Sequence, residues 1–377
     1  ELYNLDLLMK NDASIAREYE TKREELDRLK LELAMNQKGS AEIPDTRDFS
    51  TTIPDGILVL SYLVLEERTL LLAFIRGTVR GYSIEAGQED LNREVSRLRD
   101  LISETADEEV IRQESEKLGG LLLPPDLPDS SQLVVSPSGV LNYLPFSLLS
   151  QRGDYLINRF PVTYIPDLFM LRASDEKHSY SSILAVGNPD LNNPDLELYF
   201  AQKEAGEIGF IFGKITDILK GKAATEAAVR EKMASRPYDI VHFACHGYFN
   251  RHYALLSHLL FASGGEYDGR FDVEEIRTLT SEVRLAVLSA CDSGVGVLGD
   301  GEEVTALDRA FIKSEKSAVI SSLWRISDVA TGMLFKHFYR ELEKGTPAPL
   351  ALWKAKKDLR LYFPHPAYWS SMKYTGN

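Results

Sequence analysis

The stretch Tyr238-Asp239-Ile240-Val241-His242-Phe243-Ala244-Cys245-His246-Gly247 reads as a short apolar strand that ends in a His-Gly pair. Its counterpart is Leu285-Ala286-Val287-Leu288-Ser289-Ala290-Cys291-Asp292-Ser293-Gly294, where a second apolar strand ends in a cysteine and a flexible loop. Runs such as Leu285–Leu288 and Ala318–Ile320 are continuously apolar, as expected for parallel strands covered on both faces. Around them strand and helix alternate. Strands are predicted at 182–187, 215–219, 238–243, 258–262, 285–290 and 317–323. Helices are predicted at 200–212, 224–234, 273–279, 303–314, 328–344 and 348–360. The pattern predicts an α/β fold with a mostly parallel central sheet flanked by helices.

In such sheets ligands bind beyond the carboxyl ends of the strands, which is where His246 and Cys291 fall. Cys291 follows His246 by 45 positions. A thiol is a weak nucleophile at neutral pH, and a neighbouring imidazole raises the thiolate fraction and later protonates a leaving amine. The glycine after the histidine lets a substrate carbonyl approach. The backbone N–H groups of Gly247 and Cys291 are then candidates for oxyanion donors, each worth about 10²–10³ in rate. Three plainer readings compete. His246 can be a strand-end histidine with a structural hydrogen bond, and Cys291 an inert core thiol. His242, Cys245 and His246 can be weighed as zinc ligands, but along a strand Cys245 points away from the two histidines. There is no Gly-x-Ser-x-Gly elbow, no phosphate loop and no Cys-x-x-Cys pair.

Before residue 180 the pattern is less regular. Residues 13–36 read as an amphipathic helix with Ile15, Tyr19, Leu26, Leu29 and Leu33 on one stripe, and residues 39–54 as a Gly/Pro-broken linker. A strand pair is predicted at 57–65 and 69–75, helices near 88–104 and 107–119, and strands at 132–136 and 154–165. The chain opens inside a predicted helix, so an upstream helical regulatory region is expected. A net charge of −14 argues against nucleic acid as the main ligand. No apolar run approaches the roughly 20 residues that span a membrane. With only Cys245 and Cys291 there is no disulfide framework, and a reducing, cytoplasmic compartment is expected.

Several separated segments, in this order, resemble the CHAT family of caspase-like cysteine peptidases, relatives of caspases and separases often fused to tetratricopeptide repeats. They are His242–Gly247, Leu288–Gly294, Gly301–Val304, Ser321–Asp328, His365–Trp369 and Ser136–Phe146. The His-to-Cys spacing is also close to the roughly 50 residues of caspases. The resemblance implies a degenerate caspase-like half over 55–178 and a catalytic half over 179–377. It further implies a Cys291–His246 dyad without metal or organic cofactor, a protein substrate, and a repeat-type regulatory region or partner. By resemblance to separases, Asp328 is a candidate for a pocket that pairs with a substrate Arg or Lys. As an alternative, Ser327 or Asp328 caps the following helix. Asp292 is a second pocket candidate, or simply a solvated loop carboxylate. Glu302 and Glu303 read as a helix cap or loop anchor rather than an acid/base pair, and Trp324 as core or pocket wall. A catalytically silent scaffold and a small-molecule amidase remain the rival functions.

Overall fold

The computed structural model describes residues 53–376 apart from 55, 76–77, 126, 129, 167, 172–178, 249–253, 280–281, 290–301, 315 and 325–326. The predicted helix over 13–36, the linker up to residue 52, and Cys291 and Asp292 lie outside the described residues.

The strands in chain order are β1 (Ile57–Val64), β2 (Thr69–Ile75), β3 (Thr78–Ile84), β4 (Gln132–Ser136), β5 (Ser150–Gln151), β6 (Asp154–Tyr155), β7 (Val162–Tyr164) and β8 (Ile183–Pro189). They continue with β9 (Thr216–Gly221), β10 (Ile240–Ala244), β11 (His246–Tyr248), β12 (His258–Leu260), β13 (Arg270–Asp272), β14 (Leu285–Leu288), β15 (Ala318–Ser322) and β16 (Met372–Thr375). The main helices are α1 (Gln88–Ser103), α2 (Glu108–Leu122), α3 (Tyr199–Phe212), α4 (Glu226–Ser235), α5 (Val273–Thr278), α6 (Glu302–Phe311), α7 (Asp328–Glu343) and α8 (Ala348–Tyr362).

Eleven strands form one sheet in the order β3-β2-β1-β4-β7-β16-β15-β14-β10-β8-β9. From β15 to β9 every neighbour pair is parallel, as the continuously apolar runs predict. At the opposite edge β1, β2 and β3 form an antiparallel meander. The two regions meet where β16 pairs with β7 on one side and antiparallel with β15 on the other.

Alternate residues of the central strands feed two separate cores. Ile240, Leu285, Val287 and Ile320 point to a core closed by α1, α2, α3, α7 and α8. Val241, Phe243, Ala286, Leu288 and Val319 point to a second core closed by α4, α5 and α6. Period-2 alternation thus puts apolar side chains on both faces, and each face needs its own helical layer.

Three corrections to the sequence reading follow from local structure. The stretch 154–165 is not one strand. It breaks into β6, a helical turn at Leu156–Arg159 and β7. The strands β3, β11, β13 and β16 were not predicted, being three to seven residues long and, in β16, mixed with polar residues. Finally, the chain bends at Cys245, so His246 does not continue β10 and opens β11 in a separate three-stranded sheet with β12 and β13.

Candidate active site

β10 and β14 lie side by side in parallel register, with Phe243 opposite Leu288. His246 is three residues beyond Phe243. The bend at Cys245 turns its side chain out of the sheet core and leaves it half-buried. Its Nε2 lies 2.8 Å from the Leu196 carbonyl. A carbonyl only accepts, so this contact puts the ring proton on Nε2 and leaves the Nδ1 lone pair as the basic position.

The turn that presents Leu196 is built by its own sequence. Pro194 opens a one-turn 3₁₀ helix, Pro194–Leu196, and the Asn193 side chain accepts from the Asp195 amide at 3.1 Å. Asn188, at the end of β8, has φ +48° and accepts from the Leu198 amide at 2.8 Å. Asn tolerates that left-handed conformation better than most residues. The Asn-Pro-Asp signal announces a turn, but nothing in it announced that the turn's last carbonyl meets a histidine 50 residues on. Leu196 is therefore a site residue that the sequence reading missed.

Gly247 is buried in β11, opposite Leu259 of β12. One step further, Tyr248 pairs with His258, and their rings lie 5.2 Å apart. His258 Nδ1 contacts the Leu256 carbonyl at 2.9 Å, and burial lowers its pKa below the ordinary value for histidine. The shift favours the neutral form of His258, in the strand that pairs with His246 and Gly247.

The two other members of the weighed zinc set are otherwise engaged. His242 is fully buried, with Nδ1 2.8 Å from the Tyr339 hydroxyl and Nε2 2.6 Å from Glu204 Oε1. Cys245 faces the second core, and burial pushes its thiol up to about 12. Among the described residues no group of three His, Cys, Asp or Glu side chains is arranged to hold a metal.

Asp328 is the first residue of α7, half-buried, and has no hydrogen-bond or ion-pair partner among the described residues. Ser327 occupies the capping position, but its side chain makes no capping bond. The cap alternative is therefore not realised through either side chain. Glu302 and Glu303 open α6, consistent with a helix start. Trp324 donates from its indole N–H to the Ala367 carbonyl at 2.9 Å and stacks under Arg99, as part of the wall between β15 and α1.

A mostly parallel sheet with helices on both faces, and a histidine just beyond one of its central strands, is the architecture of a caspase-like fold. The CHAT domain model matches residues 112–377, and the chain belongs to the CHAT domain family. Human tetratricopeptide repeat protein 28 is 27% identical over 300 residues, and its mouse counterpart 26% identical over 298. In both cases 65% of this chain is matched, and the match covers only 12% of the relative's length. In fold the chain is similar to separase in the Saccharomyces cerevisiae separase–securin complex. That likeness has a TM-score of 0.59 and 10% identity, over 87% of this chain and 30% of that one. A weaker likeness, with a TM-score of 0.42 and 10% identity, links 77% of this chain to 74% of the Arg-specific cysteine proteinase gingipain R.

Proposed function

We propose that this chain is a cysteine endopeptidase in which Cys291 is the nucleophile and His246 the general base and acid. The observation that carries the reading is the Leu196 carbonyl at His246 Nε2, which supports Nδ1 as the proton-transfer atom. Register supports the partner. Cys291 follows Leu288 by three residues, as His246 follows Phe243, and Leu288 and Phe243 are paired on adjacent strands, which lie about 4.8 Å apart.

In the proposed cycle Nδ1 takes the thiol proton, and the thiolate attacks the scissile carbonyl. The backbone N–H groups of Gly247 and Cys291 receive the oxyanion. Collapse breaks the C–N bond, with the Nδ1 proton passing to the leaving amine. A water deprotonated by His246 then hydrolyses the thioester and returns Cys291 as thiol. Asp328 is proposed to line the pocket for a basic residue before the cut bond, because a half-buried carboxylate with no partner among the described residues would gain one there. Asp292 is a second proposed pocket residue. Residues 55–178 are read as the degenerate half and 179–377 as the catalytic half, under control of a repeat-type region of the kind named in the relatives.

The test is cleavage of a peptide library read by mass spectrometry, with C291A and H246A alongside. Defined cut sites that vanish in both variants, and lose their preference for Arg or Lys in D328N, support the assignment. Unchanged cleavage by C291A overturns it, and absence of cleavage in any longer form of the protein favours the scaffold reading.

A further inference from the structure

Between α3 and α7, behind the bend that carries His246, the sheet buries three polar side chains together. Glu204, His242 and Tyr339 are each at most 5% exposed. The Tyr339 hydroxyl meets His242 Nδ1 at 2.8 Å, and Glu204 Oε1 approaches Nε2 at 2.6 Å without forming a hydrogen bond to it. Phe335 packs edge-on against the imidazole at 5.3 Å. Replacing such a cluster by apolar residues of similar size is often neutral or stabilising, so stability alone does not account for it. A buried polar cluster can instead serve to fix one arrangement of its neighbours.

We propose that the Glu204–His242–Tyr339 cluster is a positioning device that sets the axial register of α3 on the sheet and thereby holds the Leu196 carbonyl against His246; this rests on the peptidase reading of His246. The contacts form a closed circuit. His242 and His246 are four residues apart on one chain segment. Glu204 on α3 is pinned to His242, and Leu196, eight residues upstream of Glu204, is bonded to His246. α3 lies unusually close to β8, because a Cβ at Gly187 would meet the Ala201 carbonyl at 2.6 Å. Apolar contacts along this face are made by Ala201, Ala205 and Ile208. Aliphatic side chains resist sliding weakly, whereas the buried Glu204 carboxylate loses its nearest polar neighbour if it slides off the imidazole. A slip of one residue moves a helix by about 1.5 Å. A shift of that size would lengthen or misalign the 2.8 Å contact to His246.

The experiment compares wild type, E204L, E204Q and Y339F in two readouts. Long-range ¹H–¹⁵N correlation on ¹⁵N-histidine-labelled protein reports the His246 tautomer, assigned by loss of its signals in H246Q. Alkylation by iodoacetamide, followed by peptide mass, reports Cys291 reactivity against pH. Wild type is expected to hold the Nε2–H tautomer of His246. E204L is expected to mix tautomers and slow Cys291 alkylation at pH 7 by about tenfold to a hundredfold. E204Q, which keeps the shape and an accepting oxygen, is expected to restore both. If E204L does not fold, Y339F supplies the comparison, with a smaller change in the same direction. A folded E204L or Y339F with an unchanged His246 tautomer and alkylation profile overturns the proposal. Wild-type Cys291 alkylating no faster than a free thiol would instead overturn the peptidase reading, and the tautomer comparison would still decide the positioning role.

Discussion

Lys373 Nζ lies 3.0 Å from Asp308 Oδ2, and both side chains are almost completely buried. The pair joins α6, the helix that follows the Cys291 segment, to β16, the strand that joins the two regions of the sheet. Ser321 of β15 donates to the same carboxylate oxygen at 3.0 Å. The helix that follows the candidate nucleophile in sequence is thus tied to the middle of the sheet by one buried carboxylate.

Removing one partner of a buried pair leaves an uncompensated charge, and this costs about 3–5 kcal/mol. D308N is therefore expected to lower the unfolding free energy by that amount. In D308L/K373M the cost should largely disappear, because no isolated charge remains. A urea-denaturation double-mutant cycle measures both, and a D308N loss within the error of wild type would contradict the argument.

Lys356 on α8 is buried, and burial lowers its pKa to about 7. The unfolded chain keeps a value near the ordinary 10.5. Between these values the unfolded state holds a proton that the native state has released, so stability rises with pH from about 7 toward 10.5. K356M should flatten that rise and add roughly 2–4 kcal/mol at pH 7. Thermal unfolding of both proteins between pH 6 and 10 provides the check; parallel curves would rule out a buried neutral lysine.

Cys245 and Cys291 should differ sharply toward thiol reagents. With its thiol pushed up to about 12 and packed in the second core, Cys245 is expected to stay unlabelled in native protein. It should react only after denaturation. Peptide mapping after a brief pulse of alkylating reagent tests this, and rapid native labelling of Cys245 would refute its burial.

Gly187 is where α3 rests on β8. An added methyl would meet the Ala201 carbonyl at 2.6 Å and the Ala205 Cβ at 2.8 Å. G187A should lose about 1–3 kcal/mol by overpacking and shift α3 away from the sheet. Its melting temperature, and the His246 tautomer, report the two effects separately; a wild-type value for both would show that the helix has room to spare.

Much of this architecture is legible in local sequence. Strands β8 and β14 were predictable because a parallel strand covered on both faces is continuously apolar, and β10 and β15 because their shorter apolar runs, interrupted at His242 and ended at Ser321, follow the same pattern. Helices α3 to α8 were predictable from their alternation with those strands. The His-Gly ending marked His246 as a candidate because chemistry at strand ends uses a recognisable pair of residue types. The short strands β11, β13 and β16 were not predictable. Three or four residues carry too little periodicity, and what makes them strands is a partner distant in sequence, such as Leu260 opposite His246.

The sequence by itself determined the α/β class and the strand-helix order, and it singled out His246 and Cys291 as candidates, because these depend on residue type and on patterns a few residues long. Only the tertiary structure decided that Leu196 fixes the His246 ring, that His242 belongs to a buried cluster with Glu204 and Tyr339, and that Asp308 pairs with Lys373 across the sheet. Those are contacts between side chains or carbonyls tens of residues apart, where packing geometry, and not local preference, selects the partner.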